Sequence, residues 1–591
     1  DSAMYIITGK VLEAKSGLPI PGANVVSKYG RTATNNKGIF SLMTRKGTVL
    51  RISSIGFEVA EFTVKGTDEI TVSLKESEQQ MKDVIVYGLF TRKAESSTGA
   101  TASFSGTELK KVGNINVLQS LAILDPSFKL IDNLNFGSDP NRLPEAVLRG
   151  ESGIPDVSLN AKYANAPNLP LFILDGFETT IQRVYDLNMN MVASITLLKD
   201  ASAKAIYGSK AGNGVVVIET VRPAAGDLRI SYTGSLDVSA PDLSSYHLTN
   251  SMEKLQAEVL AGKYSSNYPE VQYPLTQQYA ANMEQALSGV NTYWLAKPLQ
   301  NGYGQKHNIY LDGGTEAMRY SAGINSNQLT GVMKGSERNT LSGVINLQYR
   351  KNAVTFRNSL TIDRNKTKNS PYGKFGDYSK MNPYWKTEED NGNLIPYYTV
   401  LTSQVYNPLY NASLNTKDET AYTNITENFY GEWEAKKNLR FTARVGISTQ
   451  TNGSDYFIPA NHTNFINIPT TSPEYLNRGQ YTVTNGKSSN ISSDIGAAYS
   501  FTAGKSQVFS NLIYSIQQVS ASMNGMTMVG YPNDRLDQIS LGSGYLPGSR
   551  ALGSESTDRN TGVVSAVNYS YDNRFLADLS LRASGSSQFG A

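Results

Sequence analysis

Residue types able to do covalent chemistry are sparse in this 591-residue chain. It has no cysteine, which removes disulfides, thiolate metal ligands and thiol nucleophiles together. Its three histidines, His247, His307 and His462, are scattered without ligand spacing and suit neither a metal site nor a catalytic triad. Asp139, Asp156, Asp175 and Asp200 are too dispersed to propose as paired acid and base. Gly208-Ser-Lys-Ala-Gly-Asn-Gly looks like a phosphate loop only at first glance. That loop needs four residues between its first Gly and a Gly-Lys-Ser/Thr, and here Lys210 precedes Gly212. With 54 Lys plus Arg against 51 Asp plus Glu, no basic surface for nucleic acid is indicated. What the composition offers is recognition and packing by aromatic rings. There are 35 Tyr against 19 Phe and 3 Trp, and a ring with a wet hydroxyl suits membrane interfaces, carbohydrate-facing surfaces or a Tyr-rich soluble β protein.

The elements that must position residues are most legible in VASITLLKDASAKAIYGSKAGNGVVVIET, residues 192–220. A strand-like run, Ile195 to Leu198, breaks into a small-residue turn of helix, then a Gly-rich turn, then a second apolar strand from Val215 to Ile218. Some twenty residues upstream, PLFILDGF (170–177) is another strand ending on an Asp-Gly turn. Together these resemble the plug domain of TonB-dependent outer-membrane transporters, in the SusC-like branch found in Bacteroidetes. The likeness is nearly residue for residue over Ser194 to Thr220. It places Asp175, Gly176, Lys199, Asp200, Tyr207, Gly208, Asn213 and Gly214 on plug motifs. Arg149 and Gly150, in AVLRG, resemble the family's strand end. The resemblance implies an import gate and not an enzyme, with no catalytic residue, no cofactor and no metal.

The fold class expected is mainly β, in three parts. Residues 1–76 hold six or so short strands split by Gly, Pro and Asn-rich turns, the pattern of a small β-sandwich. Gly17, Pro19, Pro21, Gly22, Ala23 and Val25, then Asn36, Gly38 and Phe40, resemble the carboxypeptidase-regulatory-like domain that SusC-like transporters often carry as an N-terminal extension. Residues 77–98 are a polar linker around one β-prone island. In the resembled family this position holds the TonB box, which adds a strand to the energy-transducing protein through main-chain hydrogen bonds. Asp83, Val84, Ile85, Val86 and Tyr87 are the candidates; the other reading is that they simply begin the plug. Some twenty extended residues span about 60 Å, enough to reach a partner. Residues 99–225 form an α+β plug, with a helix expected over Asn114–Leu124 and stopped by Asp125-Pro126. Ser127 stands where the family usually has a Gly, a departure that touches only the local turn.

Residues 226–591 show about eleven period-2 segments of 10 to 14 residues, among them Leu228–Val238, Thr340–Arg350, Leu439–Thr449 and Gly562–Asp572. Such lengths fit tilted strands crossing a bilayer, and lipid-exposed strands must close into an antiparallel barrel to pair their backbone. Short links (Lys351-Asn352, Lys437-Asn438, Asn573) read as periplasmic turns and long ones (365–423, 450–489) as outward loops. A solenoid or propeller would need a fixed repeat, and these spacings vary. No apolar run is long enough for a transmembrane helix. Plugged barrels of this kind have 22 strands, so about half the barrel is expected here and the C-terminal part elsewhere. The start at Asp1 reads as a processed end.

The resemblance also implies partners: a SusD-like lipoprotein capping the barrel, the TonB-ExbB-ExbD complex, outer-membrane lipid, and a dimer of SusC–SusD pairs. The cargo implied is a glycan fragment, with oligopeptide as the alternative. A ligand-sensing receptor or an adhesin without transport is the reading from another class. Two aromatic clusters, Tyr372, Tyr378, Tyr384 and Trp385, and Tyr397, Tyr398, Tyr406 and Tyr410, are candidates for stacking on ligand or for packing the outward loops, with packing preferred.

Overall fold

The computed structural model describes residues 4–14, 17–54, 57–66, 70–75, 84–86, 88, 91–93, 101–113, 116–131, 139–148, 168–199, 206–572 and 574–589. They fall into two compact units, 1–86 with 91–97, and 87–90 with 98–591.

Alternation builds the first unit. Tyr5–Glu13 (β1) buries Ile7 and Val11, Ile39–Thr44 (β4) buries Phe40 and Leu42, and Ile70–Leu74 (β7) buries every second residue. These three pair in the order β4-β1-β7. Asn24–Ser27 (β2), Gly30–Ala33 (β3), Val49–Ser53 (β5) and Ala60–Thr63 (β6) form a second sheet, β3-β2-β5-β6. Both sheets contribute to one core that includes Ile7, Val25, Phe40, Leu50 and Ile52. This is the expected sandwich, with seven strands. After it, Val84–Val86 (β8) pairs antiparallel with Thr91–Lys93 (β9).

In the second unit, the described residues of the expected plug, 99–225, build two small sheets and three α-helices. Thr101–Ser105 (β10), Leu171–Leu174 (β13), Phe177–Thr179 (β14), Val192–Leu198 (β15) and Val215–Thr220 (β16) make one sheet in the order β10-β15-β16-β13-β14. Phe128–Ile131 (β11) and Glu145–Leu148 (β12) pair separately. The apolar runs of β13 and β16 lie parallel to each other and are buried on both faces, as parallel central strands are. Gly106–Val112 (α1) starts on a Ser105/Glu108 capping box, and Val117–Leu124 (α2) starts where the Asn116 side chain accepts from the Gln119 amide. The expected helix therefore begins at 117, and 114–115 lie outside the described residues. Ser127 turns the chain after it by donating its amide and hydroxyl to Asp125, which replaces what a Gly would do there. Ile181–Asp186 (α3) is capped by Thr180.

The rest is one long antiparallel ladder. Its strands are Gly226–Ser239 (β17), Gly302–Gly314 (β18), Met318–Thr330 (β19), Glu337–Lys351 (β20), Val354–Lys368 (β21), Lys417–Lys436 (β24), Leu439–Ile458 (β25), Gln480–Ala503 (β26), Ser506–Val529 (β27), Leu552–Tyr571 (β29) and Phe575–Ser586 (β30). Gly544–Tyr545 (β28) joins β27, and Tyr397–Val400 (β22) pairs Ser403–Tyr406 (β23) inside a loop. Among the described strands, β17 and β30 are the edges. The eleven segments expected from alternation are these eleven strands, but several are far longer, up to 24 residues in β26 and β27. The reason is visible in β26: its 484–490 stretch, TNGKSSN, is polar on both sides and interrupts the apolar alternation. Outward positions such as Leu341, Ile345 and Leu347 are exposed, whereas Arg338 and Thr340 of the same strand are buried inward. Exposed Tyr349, Phe356, Trp433, Phe441, Tyr499, Phe501, Tyr571 and Phe575 cluster within a few residues of the short turns, an aromatic girdle at one rim. Part of the aromatic excess is therefore interfacial.

The long links are structured at their base. In 240–301, Ser251–Leu260 (α4) and Pro269–Leu287 (α5) form a helical insert that alternation did not anticipate. It packs against 369–416 through Leu255, Trp294, Tyr378, Tyr384 and Trp385.

Gly214 ties the plug sheet together: its φ is +96°, and a Cβ there would collide with the Leu148 side chain. Gly214→Ala is expected to destabilise the plug by about 2 kcal/mol. Hydrogen exchange in detergent should then quicken in β15 and β16 while the barrel ladder stays protected; unchanged exchange in β15 and β16 contradicts this.

Candidate functional site at the plug and barrel seam

The Asp-Gly turn between β13 and β14 has φ of +52° at Asp175 and +88° at Gly176, the two positive values of a tight type I′ hairpin. The Asp175 carboxylate accepts from the Thr220 amide and hydroxyl, both at 2.8 Å, and so locks the hairpin to the end of β16. Gly176 is where three parts of the unit meet. A Cβ on it would lie 3.0 Å from the Gly88 carbonyl oxygen and 3.3 Å from Nη1 of Arg444 on β25. Gly88, in turn, leaves no room for a side chain against the Tyr207 hydroxyl and Ile173. The chain two residues past β8 is thus seated on the plug motif.

The other motif residues serve the same body. Arg582 of β30 donates to the Ile206 carbonyl at 2.6 Å and crowds Gly208. Asn213 donates to the Leu169 carbonyl, and Lys199 pairs with Asp125. Val84, Ile85 and Val86 lie in the β8–β9 hairpin, whereas Asp83, Tyr87, Arg149, Gly150 and Asp200 lie outside the described residues.

The plug meets the barrel wall through polar contacts. Arg338 of β20 donates to both oxygens of Asp186 at 2.9 and 2.7 Å, and the Tyr422 hydroxyl of β24 donates to the same carboxylate at 2.6 Å. The two charged side chains are only 3 and 6 % exposed. Nearby, Arg183 lies 3.6 Å from Asp363 and donates to Thr426, and Asn188 donates to Asn325. On the other flank Lys210 pairs with Glu178 at 2.9 Å and also donates to Gln517 of β27. No alternation or motif pointed to these contacts. The one signal present was parity, since Arg338 occupies an inward position shared with Thr340.

Glu219, on β16 beside this hairpin, has its carboxyl raised above the ordinary range by burial and then by the Asp175 charge, with Arg222 opposing. No group of three His, Asp or Glu side chains among the described residues is placed to hold a metal ion.

The aromatic candidates sit elsewhere, in the loop core. Tyr378, Tyr384, Trp385 and Tyr398 are buried, and Trp385 stacks on Tyr398 with ring centroids 4.5 Å apart. Tyr384 and Tyr264 donate to the buried Glu258, and burial pushes the Tyr264 hydroxyl up to about 12. Tyr372, Tyr397 and Tyr410 are half-buried, and Tyr406 is exposed.

Residues 7–86 match the CarboxypepD_reg-like domain and residues 93–215 the TonB-dependent Receptor Plug Domain. The chain is 24% identical over 602 residues to the TonB-dependent receptor P39 of Formosa agariphila, covering 100% of this chain and 53% of that protein. It is 24% identical over 494 residues to the TonB-dependent receptor SusC of Bacteroides thetaiotaomicron, covering 76% of this chain and 44% of that one. The chain spans about half the length of the curated relatives it matches. The solved RagAB peptide importer in its open-open state shares the fold, with a TM-score of 0.67 at 20% identity over 85% of this chain and 56% of that one.

Two outcomes follow from the seam. Removing one member of a buried ion pair leaves an uncompensated charge, at a cost of about 3–5 kcal/mol. Asp186→Ala should therefore free the plug to protease at lower urea, and the added Arg338→Leu should restore part of the loss; additive losses would mean the two residues do not act as a pair. For Glu219, a raised carboxyl stabilises the fold below the ordinary carboxylate range, and that stability is lost as pH rises through the folded-state value. Glu219→Gln is expected to remove this loss, flattening plug stability between acid and neutral pH in the same assay; an unchanged slope contradicts it.

Proposed function

We propose, from the premise that this chain is a SusC-like TonB-dependent receptor with CarboxypepD_reg-like and plug domains, that it serves energised import of oligosaccharides across the outer membrane. The observation that carries this reading is the seam itself. Among the described residues, discrete ion pairs and amide contacts join the plug to the wall, and such contacts can be exchanged for water or ligand. The outward apolar rows and the aromatic girdle support residence in a bilayer as a barrel wall.

In this reading the coupling segment is Asp83–Tyr87. TonB, driven by its ExbB-ExbD complex, adds a strand to it. Val84–Val86 already adopts strand geometry against Thr91–Lys93, so docking uses the free edge of that hairpin or displaces its partner strand. Because Gly88 is seated against Gly176 and Tyr207, a pull on the segment is delivered to the Asp175-Gly176 hairpin. A SusD-like lipoprotein would cap the mouth above the structured loops, and a dimer of such pairs would be the assembled form. Peptides, the cargo of the RagAB peptide importer, are the alternative for this chain.

The test is growth of a strain deleted for the full-length gene on a panel of glycans and peptides, complemented with wild type or with protein lacking Asp83–Tyr87. Growth on one glycan should be restored by wild type alone, with uptake by the shortened protein at least tenfold lower. Equal rescue by the shortened protein would exclude these residues as the coupling strand, and rescue confined to peptides would replace the cargo class.

A further inference from the structure

The inward positions Ser359, Thr361 and Asp363 of β21 line a cavity against the plug. The alternate positions therefore face outward: Phe356 and Ile362 are exposed, and Arg364, Lys366 and Lys368 continue the same row, all exposed. Arg364 stands eight positions above Phe356, the girdle residue of this strand. That is about 26 Å along the strand and about 20 Å along the bilayer normal at a tilt of about 40°, near the upper limit of an apolar band about 25 Å tall. At a similar distance above the short turns, outward positions of other strands are uncharged, as at Tyr303, Gln328, Thr451 and Gln518. Arg559 of β29 is charged, but its guanidinium donates to Gln518. The carboxylates beside the β21 row, Glu337 and Glu419, both stand opposite Lys368, and Glu419 pairs with Lys366 at 2.9 Å. Opposite Arg364 are Leu341 and Thr423, neither of them charged. Beneath the guanidinium lies an apolar notch. Gly343 of β20 is flanked by Ile324 and Ile362, and a Cβ on it would meet nothing within 4 Å. Leu341 and Ile345, the next outward residues of β20 on either side, complete its rim.

We infer that this row is a seat for a phosphorylated glycolipid of the outer leaflet, with Arg364 and Lys366 on the phosphate and an acyl chain in the notch at Gly343. The inference rests on the outer-membrane reading above and names a lipid partner for its wall. A guanidinium at the edge of hydrocarbon is stabilised by an anion, and its planar fork matches phosphate with two parallel hydrogen bonds. The long links lie at this end of the strands, so the leaflet is the outer one. The sugar follows from the flanks. Asn339, opposite Lys366, and Thr423, opposite Arg364, offer an amide and a hydroxyl to saccharide hydroxyls. A cation that merely snorkels to the interface would need neither the notch nor the polar flanks.

The test uses full-length protein purified from outer membranes in a neutral maltoside detergent, with heat-modifiable gel mobility as the check that it is a membrane barrel. Native mass spectrometry follows its titration with diphosphoryl lipid A, and phosphatidylglycerol and inorganic phosphate are separate arms. Wild type should bind lipid A at one tight site. Arg364→Gln should weaken that binding at least tenfold, and Arg364→Lys, which keeps the charge but not the fork, about threefold. Lys487→Gln removes an exposed lysine from the outward row of β26 and should leave binding unchanged. If Arg364→Gln fails to reach the membrane, Gly343→Trp, which fills the notch, decides alone, with a loss of at least tenfold expected. Wild-type affinity in the deciding variant, or an equal loss in Lys487→Gln, overturns the seat while leaving the barrel intact. Equal binding of phosphatidylglycerol overturns the glycolipid, and binding of inorganic phosphate alone overturns a lipid occupant. Wild type without heat-modifiable mobility overturns the outer-membrane reading, and the seat with it.

Discussion

A strand that faces hydrocarbon has no water to satisfy its amides and carbonyls, so each must find a partner on a neighbouring strand. That constraint accounts for the ladder from β17 to β30, its links of two or three residues at one rim and its outward apolar rows. It also leaves the opposite, inward parity free of any demand for hydrophobicity. The wall's inner face is accordingly written in Asn, Ser, Thr, Gln and a few charges, and this is the face the plug must lie against.

A plug in such a lumen has two requirements that pull apart. In the import reading it must be rigid within itself and releasable from the wall. The first is met by an apolar core to which β13, β15 and β16 contribute most of their residues, with Gly214 where the turn approaches Leu148 too closely for a side chain. The second is met by replacing apolar contact at the seam with localised polar ones. The Asp186–Arg338–Tyr422 group is the strongest of these, because its two charges are almost fully withdrawn from water and would each be expensive to leave alone. Breaking it as a unit, with both charges re-solvated, is far cheaper than removing either partner.

Legibility followed the range of the physics. The plug strands could be read because a doubly buried strand is a continuous apolar run, and the sandwich because Ile7, Val11, Val72 and Leu74 alternate. The barrel strands were legible only along part of their length; the 484–490 stretch of β26, polar on both faces, looked like loop. The α5 helix, with Pro274 inside it and little apolar bias to one face, gave no helical period to find. The clamp could not be read at all. Asp186 and Arg338 are 152 residues apart, and each alone is an ordinary charged residue; only the register of the wall brings them together.

In the proposed import reading, transport requires the plug to part from the wall along this seam. A cysteine pair introduced at Asn188 and Asn325, whose side chains are hydrogen-bonded at 2.9 Å, can be bridged by a short cleavable bis-maleimide in a full-length protein carrying no other cysteine. Energised uptake by the full-length protein should fall to background when the bridge is formed and return when it is cleaved. Uptake that persists with the plug tethered to β19 would contradict the account.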